Sequence, residues 1–317
     1  MLTVLRNNQR RHVQQGNQEL WHSFFAQDHR GPISDGISSL LAFDEMKLSP
    51  GESTGSTPEE ESETITYVYQ GSLSQKDSTG TSGVIEAGEF QHLSTGVGIE
   101  CKETSVSRSD GVHLFRISLL PSQVGIERAH ELKRFTAAQR KNLLCAIASQ
   151  DGRKGSLCIH QDAVVYSAIL ESGHHLMHEL APSRNAWLYI VLGTVIVHDL
   201  VLTQGDGICF VNEPLVSLTA KGPTELLLID VGLASSSPWK TMTGHTCHTE
   251  PQGPVTPEVF LERKNHPQTS ILHHLHGEEP EVDPIGEIDP SILLVLIQGH
   301  GLMTVVCPKR AHEHLEG

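Results

Sequence analysis

A pattern of strand, glycine and strand occurs twice in this chain, and it limits the possible folds more than any other feature. The first copy runs through residues 65–73 and the second through residues 188–195, with the glycines at Gly71 and Gly193. Glycine at such a point supplies φ values that other residues avoid, as in a tight turn between strands. The duplication predicts two related β-barrels in tandem.

Short strand-like runs continue this pattern along residues 64–231. They are rich in Ile, Val, Leu and Tyr and are bounded by Gly, Pro, Asp and Ser, which is typical of antiparallel barrels. The predicted fold class is therefore all-β. The helix that the sequence favours most is short, over residues 136–143, with Thr136 as its N-cap. A third strand-glycine-strand pattern, over residues 292–306, predicts an appended hairpin, with a partial third barrel as the alternative.

These signals divide the chain into four parts. Residues 1–120 form the predicted N-terminal barrel, and residues 121–143 form a linker that contains the short helix. Residues 144–233 form the C-terminal barrel. Residues 234–317 combine a low-complexity linker, rich in Ser, Pro, His, Thr and Glu, with the appended hairpin.

Charge and cysteine content exclude several classes of partner. The 23 basic and 38 acidic residues give a net charge of −15, which disfavours direct nucleic-acid binding and anionic membrane surfaces. No apolar run reaches the length of a transmembrane helix or a signal peptide. The six cysteines show no C-x-x-C spacing, which favours free thiols in a reducing compartment. We expect a cytoplasmic protein, or a nuclear one in a eukaryote.

A further pattern is carried by segments that include residues 21–25, 65–71, 83–91, 149–156 and 159–163. Together these segments resemble the pirin family of bicupins, which includes quercetinase-like members, over roughly residues 15–233. The resemblance implies two cupin barrels of the RmlC-like double-stranded β-helix type, packed together.

The resemblance also implies the place of a metal site in the first barrel. Metal-binding pirins hold a ferrous ion with an H-x-H pair and an H-x-E pair. In this chain those positions carry Thr57, Glu59, Cys101 and Glu103, so only the final glutamate is retained. Imidazole is the ligand that suits non-haem iron best, and all three imidazoles are missing. The resemblance therefore implies a degenerate site.

Three interpretations of these positions remain open at this stage. The pocket is vestigial and binds no metal, so that no cofactor is needed. Alternatively, the carboxylates of Glu59 and Glu103 and the thiolate of Cys101 hold another divalent ion, iron or zinc. In the third interpretation Cys101 is a redox-responsive thiol, whose pKa Lys102 would lower and the neighbouring carboxylates would raise.

Other histidines are predicted to have structural or solvent-exposed roles. His174, His175 and His178 precede the second glycine arch and are expected in a loop. Counting back from Gly193, the places that correspond to first-barrel ligand positions carry non-histidine residues, namely Glu179, Ala181 and Asn185. Two further clusters, residues 245–248 and 273–276, lack the second half of a zinc-finger spacing and are also expected in loops.

Two functions follow from the resemblance. The first is a binding or regulatory protein with a metal-free or altered first barrel, whose partner is another protein or a small aromatic ligand. The second is a metal-dependent enzyme similar to quercetin 2,3-dioxygenase, with an altered ligand set.

Overall fold

The computed structural model describes part of the chain, in two units that span Met1–Gly244 and His245–Gly317. The described residues are 1–24, 36–54, 57–59, 62–80, 82–94, 99–107, 109–123, 125–233, 295–298 and 302–305. The predicted low-complexity linker and the histidine clusters at residues 245–248 and 273–276 lie outside them.

The described chain is built almost wholly from β-strands, as the sequence predicts. The first twelve strands are β1 (Leu2–Leu5), β2 (Arg11–Gln15), β3 (Gln18–His22), β4 (Leu40–Leu48), β5 (Thr57–Glu59), β6 (Glu63–Gln70), β7 (Ser72–Asp77), β8 (Ser82–Glu86), β9 (Glu89–Ser94), β10 (Ile99–Ser105), β11 (Val112–Leu119) and β12 (Ala129–Arg134). The next ten are β13 (Cys145–Ser149), β14 (Leu157–Cys158), β15 (Ala163–Leu170), β16 (His175–Glu179), β17 (Arg184–Leu192), β18 (Thr194–Val197), β19 (Leu200–Thr203), β20 (Gly207–Val211), β21 (Leu215–Ala220) and β22 (Thr224–Gly232). The helices are α1 (Ala137–Arg140) and the 3-10 turns Asn7–Gln9 and Arg153–Gly155.

Each half of the first unit pairs a seven-stranded sheet with a four-stranded sheet. In the first barrel the strand orders are β12-β9-β6-β11-β4-β3-β2 and β5-β10-β7-β8. In the second they are β1-β20-β17-β22-β15-β13-β14 and β16-β21-β18-β19. Apolar side chains from both sheets fill each barrel, because alternate residues of a strand point to one face. The prediction of an all-β fold with two tandem barrels is confirmed.

The two barrels pack through their seven-stranded sheets. Along β6, Ile65 and Tyr67 lie in the layer between the barrels, whereas Val68 belongs to the core inside the first barrel. Trp187 and Tyr189 of β17 enter the same layer from the second barrel. The strands at this junction are therefore buried on both faces, which explains the continuous apolar run over residues 186–191 of β17.

Two strands join sheets to which the predicted domain division does not assign them. Strand β1 pairs with β20 of the second barrel, with Leu2 opposite Phe210. Strand β12 lies in the predicted linker and pairs with β9 of the first barrel, with His130 opposite Leu93. Each added strand extends a sheet at its edge, which satisfies main-chain groups that would otherwise be unpaired. The division into domains stays a prediction in other respects.

Helix α1 begins after the N-cap that the sequence predicts. The Thr136 hydroxyl accepts a hydrogen bond from Gln139 N, and the Gln139 side chain accepts one from Thr136 N. This reciprocal capping box satisfies two main-chain donors at the start of the helix. The helix ends at Arg140, whose buried guanidinium reaches the second barrel.

The second unit contains the antiparallel pair β23 (Val295–Gln298) and β24 (Leu302–Val305). This pairing agrees with the predicted hairpin. Within the described part of the chain, no helix has both the length and the apolar character needed to cross a membrane.

Gly193 turns the chain between β17 and β18 in a conformation that other residues avoid, with φ at +92°. A Cβ at this position would also lie 2.9 Å from Thr224 Cα. We expect Gly193→Ala to lower the free energy of unfolding by about 1–3 kcal/mol, measured by urea denaturation. The matched control is Gly222→Ala, because that glycine lies outside the left-handed region with open space around it. Equal stability of the two variants would contradict the prediction.

Candidate functional site

The four positions implied by the family resemblance lie on neighbouring strands of the first barrel. Strands β5 and β10 are antiparallel, with Thr57 opposite Cys101 and Glu59 opposite Ile99. On its other side β10 pairs with β7, which places Glu103 opposite Gln75. The backbone therefore brings the four positions to one end of the four-stranded sheet. Their role as a ligand set remains a prediction.

Glu103 is a buried carboxylate, and a guanidinium already neutralises it. Arg116 Nη2 donates a hydrogen bond to Glu103 Oε1, and the two side chains are 19% and 4% exposed. The main chain of Glu103 is fixed as well. Thr54 N–H donates to Glu103 O, and Glu103 N–H donates to Thr54 Oγ1. A buried carboxylate needs such partners, since desolvation of an isolated charge is costly.

Sequence analysis did not identify Arg116. It lies on β11 between Phe115 and Ile117, which both belong to the layer between the barrels. Strand alternation therefore turns Arg116 to the opposite face, into the first barrel, where its Cα partners are Asp44 and Thr66. A charged residue on the same strand face as Val112 and Leu114, which are buried in the core of the first barrel, was the available signal.

Cys101 is buried next to a second ion pair, which joins Arg128 and Asp77. Its side chain is buried, at 2% exposure, and it lies opposite Asp77 across β10 and β7. Arg128, from the predicted linker, donates to Asp77 and to the Thr79 hydroxyl. The burial of Cys101 disfavours rapid oxidation, since reactive thiols are accessible ones.

His130 lies near this end of the barrel without joining a metal-type cluster. Its Nε2 lies 2.8 Å from Gln91 Nε2. Burial and then the positive charge of Arg128 lower the pKa of His130, which favours the neutral ring. Among the described residues, no group of three or more His, Cys, Asp or Glu side chains could hold a metal ion.

The residues at the implied ligand positions do not fit a pirin-type ferrous ion. None of the four supplies an imidazole. Glu103, which the resemblance implies as the one retained ligand, is paired with Arg116. A divalent ion at that carboxylate would have to lie beside a guanidinium in a poorly hydrated interior, where like charges repel strongly.

The second barrel has a polar cleft of about 400 Å³, lined mainly by residues of β15, β16 and β22 and of the turn after Ser149. His178 Nε2 lies 2.8 Å from Asp230 Oδ2, and Arg184 Nε donates to Asp230 Oδ1 at 2.6 Å. The His178 ring also contacts the edge of Tyr166. The cleft therefore presents the paired carboxylate of Asp230 and the rings of Tyr166 and His178.

Placement of the second-barrel histidines differs from the prediction. His175 and His178 lie on strand β16, whereas the sequence predicted a loop. The local sequence of this segment favours a strand only weakly, but its pairing with β21 makes it one. His178 then reaches the buried Asp230. Of the corresponding positions, Glu179 and Ala181 line the cleft, and the Asn185 amide donates instead to Ser38 Oγ.

Three buried glutamates between the barrels were also missed. Glu45 on β4 accepts hydrogen bonds from the Tyr189 hydroxyl and from Arg10 Nη2, and it contacts His113 Nε2. Burial opposes its ionisation, but these partners outweigh burial and lower the pKa of Glu45 from 4.5 to about 2. Strand β4 also carries Asp44 and Lys47, so the sequence offered no specific signal for Glu45.

The other two glutamates also link one barrel to the other. Glu63 on β6 accepts from the main chains of His160 and Gln161 of the second barrel. Glu225 on β22 accepts from the Tyr67 hydroxyl and from Arg140. Burial, and then the charge of Glu225, raise the pKa of Tyr67, so its hydroxyl remains a donor.

Comparisons with known proteins match both halves of the chain. The pirin family model matches residues 5–118, and the model of the quercetinase C-terminal cupin domain matches residues 146–231. A protein of Escherichia coli K12 named quercetin 2,3-dioxygenase is 32% identical over 231 residues, which are 73% of this chain and 99% of the relative.

Solved structures agree with this assignment of both domains. The crystal structure of YhhW from Escherichia coli superposes with a TM-score of 0.70 at 31% identity, over 74% of this chain and 99% of that one. A nickel(II) complex of the bacterial pirin YhhW gives a TM-score of 0.69 at 29% identity, over 74% of this chain and all of that one.

Proposed function

This chain belongs to the pirin family of two-barrel cupin proteins, and we propose that it acts by binding rather than by metal-dependent oxidation. Its first barrel keeps the family fold but lacks the imidazole ligands at all three family histidine positions, which are Thr57, Glu59 and Cys101. The protein then serves a regulatory or ligand-binding role, with no metal cofactor at this site.

The ion pair between Arg116 and Glu103 is the observation that carries this proposal. A family member that uses the glutamate as a metal ligand needs that carboxylate available for the metal. Here the guanidinium satisfies it inside the barrel. Replacement of the other three ligands and occupation of the fourth both support loss of the metal-dependent activity.

We propose a small aromatic ligand for the second-barrel cleft. Tyr166 and His178 offer ring edges there, and Arg153 and Asp162 offer hydrogen-bonding groups at the rim. A ligand with several hydroxyl groups on aromatic rings matches such a lining. A protein partner is the other expectation from the sequence. The net charge of −15 disfavours direct binding to nucleic acid, and we place the protein in the cytoplasm or, in a eukaryote, the nucleus.

The second candidate function is a metal-dependent quercetin 2,3-dioxygenase activity. The names of the relatives and the nickel complex of YhhW favour it. In this chain such a site would have to draw on Cys101 and Glu103, with Glu59 as a further donor, and would hold iron or zinc. It would require Arg116 to leave Glu103.

Metal content and flavonol turnover distinguish the two functions. We expect untagged protein, purified without chelators, to contain substoichiometric iron, nickel, manganese, copper and zinc by elemental analysis. We also expect no oxygen-dependent loss of quercetin absorbance after each metal is added. The positive control is the Escherichia coli relative, assayed in parallel. Stoichiometric metal that is lost in Glu103→Ala, together with turnover, would support the enzyme instead.

A further inference from the structure

We infer that Arg116 is the resident cation of the first barrel and that it excludes a metal ion from Glu103. The loss of the metal site then depends on a fifth residue, outside the four ligand positions. This inference rests on the proposed function and deepens it, because it names the group that occupies the site.

The fold holds Arg116 in place for this role. Its neighbours Phe115 and Ile117 are buried between the barrels, so β11 cannot rotate without exposing them. Its own side chain is 19% exposed and ends on a glutamate that is 4% exposed. The guanidinium therefore approaches Glu103 from the seven-stranded sheet, across the barrel from β10.

Charge makes the two occupants mutually exclusive. A guanidinium supplies one positive charge and directional N–H donors to the carboxylate, which is how buried carboxylates are ordinarily stabilised. A divalent ion at the same oxygen would face that guanidinium across the pocket. The site can therefore hold Arg116 or a metal, and restoring histidines alone leaves the arginine in place.

Restoration of the histidines tests this directly. The triple variant Thr57→His, Glu59→His, Cys101→His is compared with the same variant carrying Arg116→Gln, both untagged. Nickel(II) binding is measured by equilibrium dialysis. We expect the variant with Arg116→Gln to bind nickel about 10- to 100-fold more tightly than the triple variant. The matched control adds Arg134→Gln to the triple variant, because Arg134 pairs with Glu89 on the outside of the barrel; it should not change the affinity.

Equal nickel affinity with and without Arg116 would overturn the inference, and so would a failure of both variants to bind. A second measurement does not depend on engineered histidines. In the otherwise native chain, Glu103→Gln and Arg116→Gln should each lower the melting temperature, whereas the double variant should recover much of the loss. Strict additivity would also overturn it. Stoichiometric metal in the native protein would contradict the proposed function. The affinity comparisons between variants do not measure the metal content of the native protein, so the two failures can be distinguished.

Discussion

Replacement of Glu63 by alanine should lower the free energy of unfolding by about 3–5 kcal/mol, measured by urea denaturation at neutral pH. Glu63 is fully buried, at 0% exposure, on β6 of the first barrel. It accepts hydrogen bonds from His160 N and Gln161 N at 2.8 and 2.9 Å and lies within 3.2 Å of His92 Nε2. Its removal leaves two partly buried main-chain donors between the barrels without their acceptor.

A surface glutamate provides the matched control for this prediction. Glu19 lies on β3 of the same barrel, its side chain is 42% exposed, and its Oε2 lies 3.4 Å from His12 Nε2. We expect Glu19→Ala to change stability by less than about 1 kcal/mol, because exposed ion pairs contribute little. If Glu63→Ala and Glu19→Ala proved equally stable, the junction would not depend on Glu63.

Glu45 should make stability depend on pH in the acid range. Burial raises its pKa, but His113, Arg10 and Tyr189 together lower it from 4.5 to about 2. A carboxylate with a depressed folded-state pKa stabilises the protein above its unfolded-state pKa, and this contribution disappears as pH falls through the folded-state value. The full contribution is about 3 kcal/mol at pH 7.

The test compares the native protein with Glu45→Gln at several pH values. The native protein should be more stable at pH 7, and the difference should narrow by about 1–2 kcal/mol on going from pH 7 to pH 3.5. Urea denaturation monitored by circular dichroism gives both free energies, and the difference cancels the other titrating carboxylates. A constant difference across this range would show that Glu45 does not have a depressed pKa.

The glycine arches and apolar strands were sufficient to predict the fold class. Gly71 and Gly193 both have positive φ, at 79° and 92°, and each carries the chain from a strand of a seven-stranded sheet into a strand of a four-stranded sheet. Thr136 likewise caps the short helix. These features are local: a turn, a cap or an alternating strand depends on residues a few positions apart, so the sequence contains the necessary information.

The four implied ligand positions came from the family resemblance and not from local sequence patterns. The side chains that surround these positions could not be predicted. Arg116 and Glu103 are separated by a strand connection, and nothing in their spacing shows that they meet inside one barrel. The same holds for Glu63 and His160, which belong to different barrels.

By itself the sequence determined that this chain forms two tandem β-barrels, and the family resemblance predicted a first barrel without the family histidines. Only the tertiary structure decided which group pairs with Glu103 and which buried carboxylates join the barrels. Periodicity and turn residues specify local structure over a few positions, and that local structure is the same in every fold that can contain it. The burial and pairing of a charge depend on strands distant in sequence, and these become neighbours only after the sheets have formed and packed.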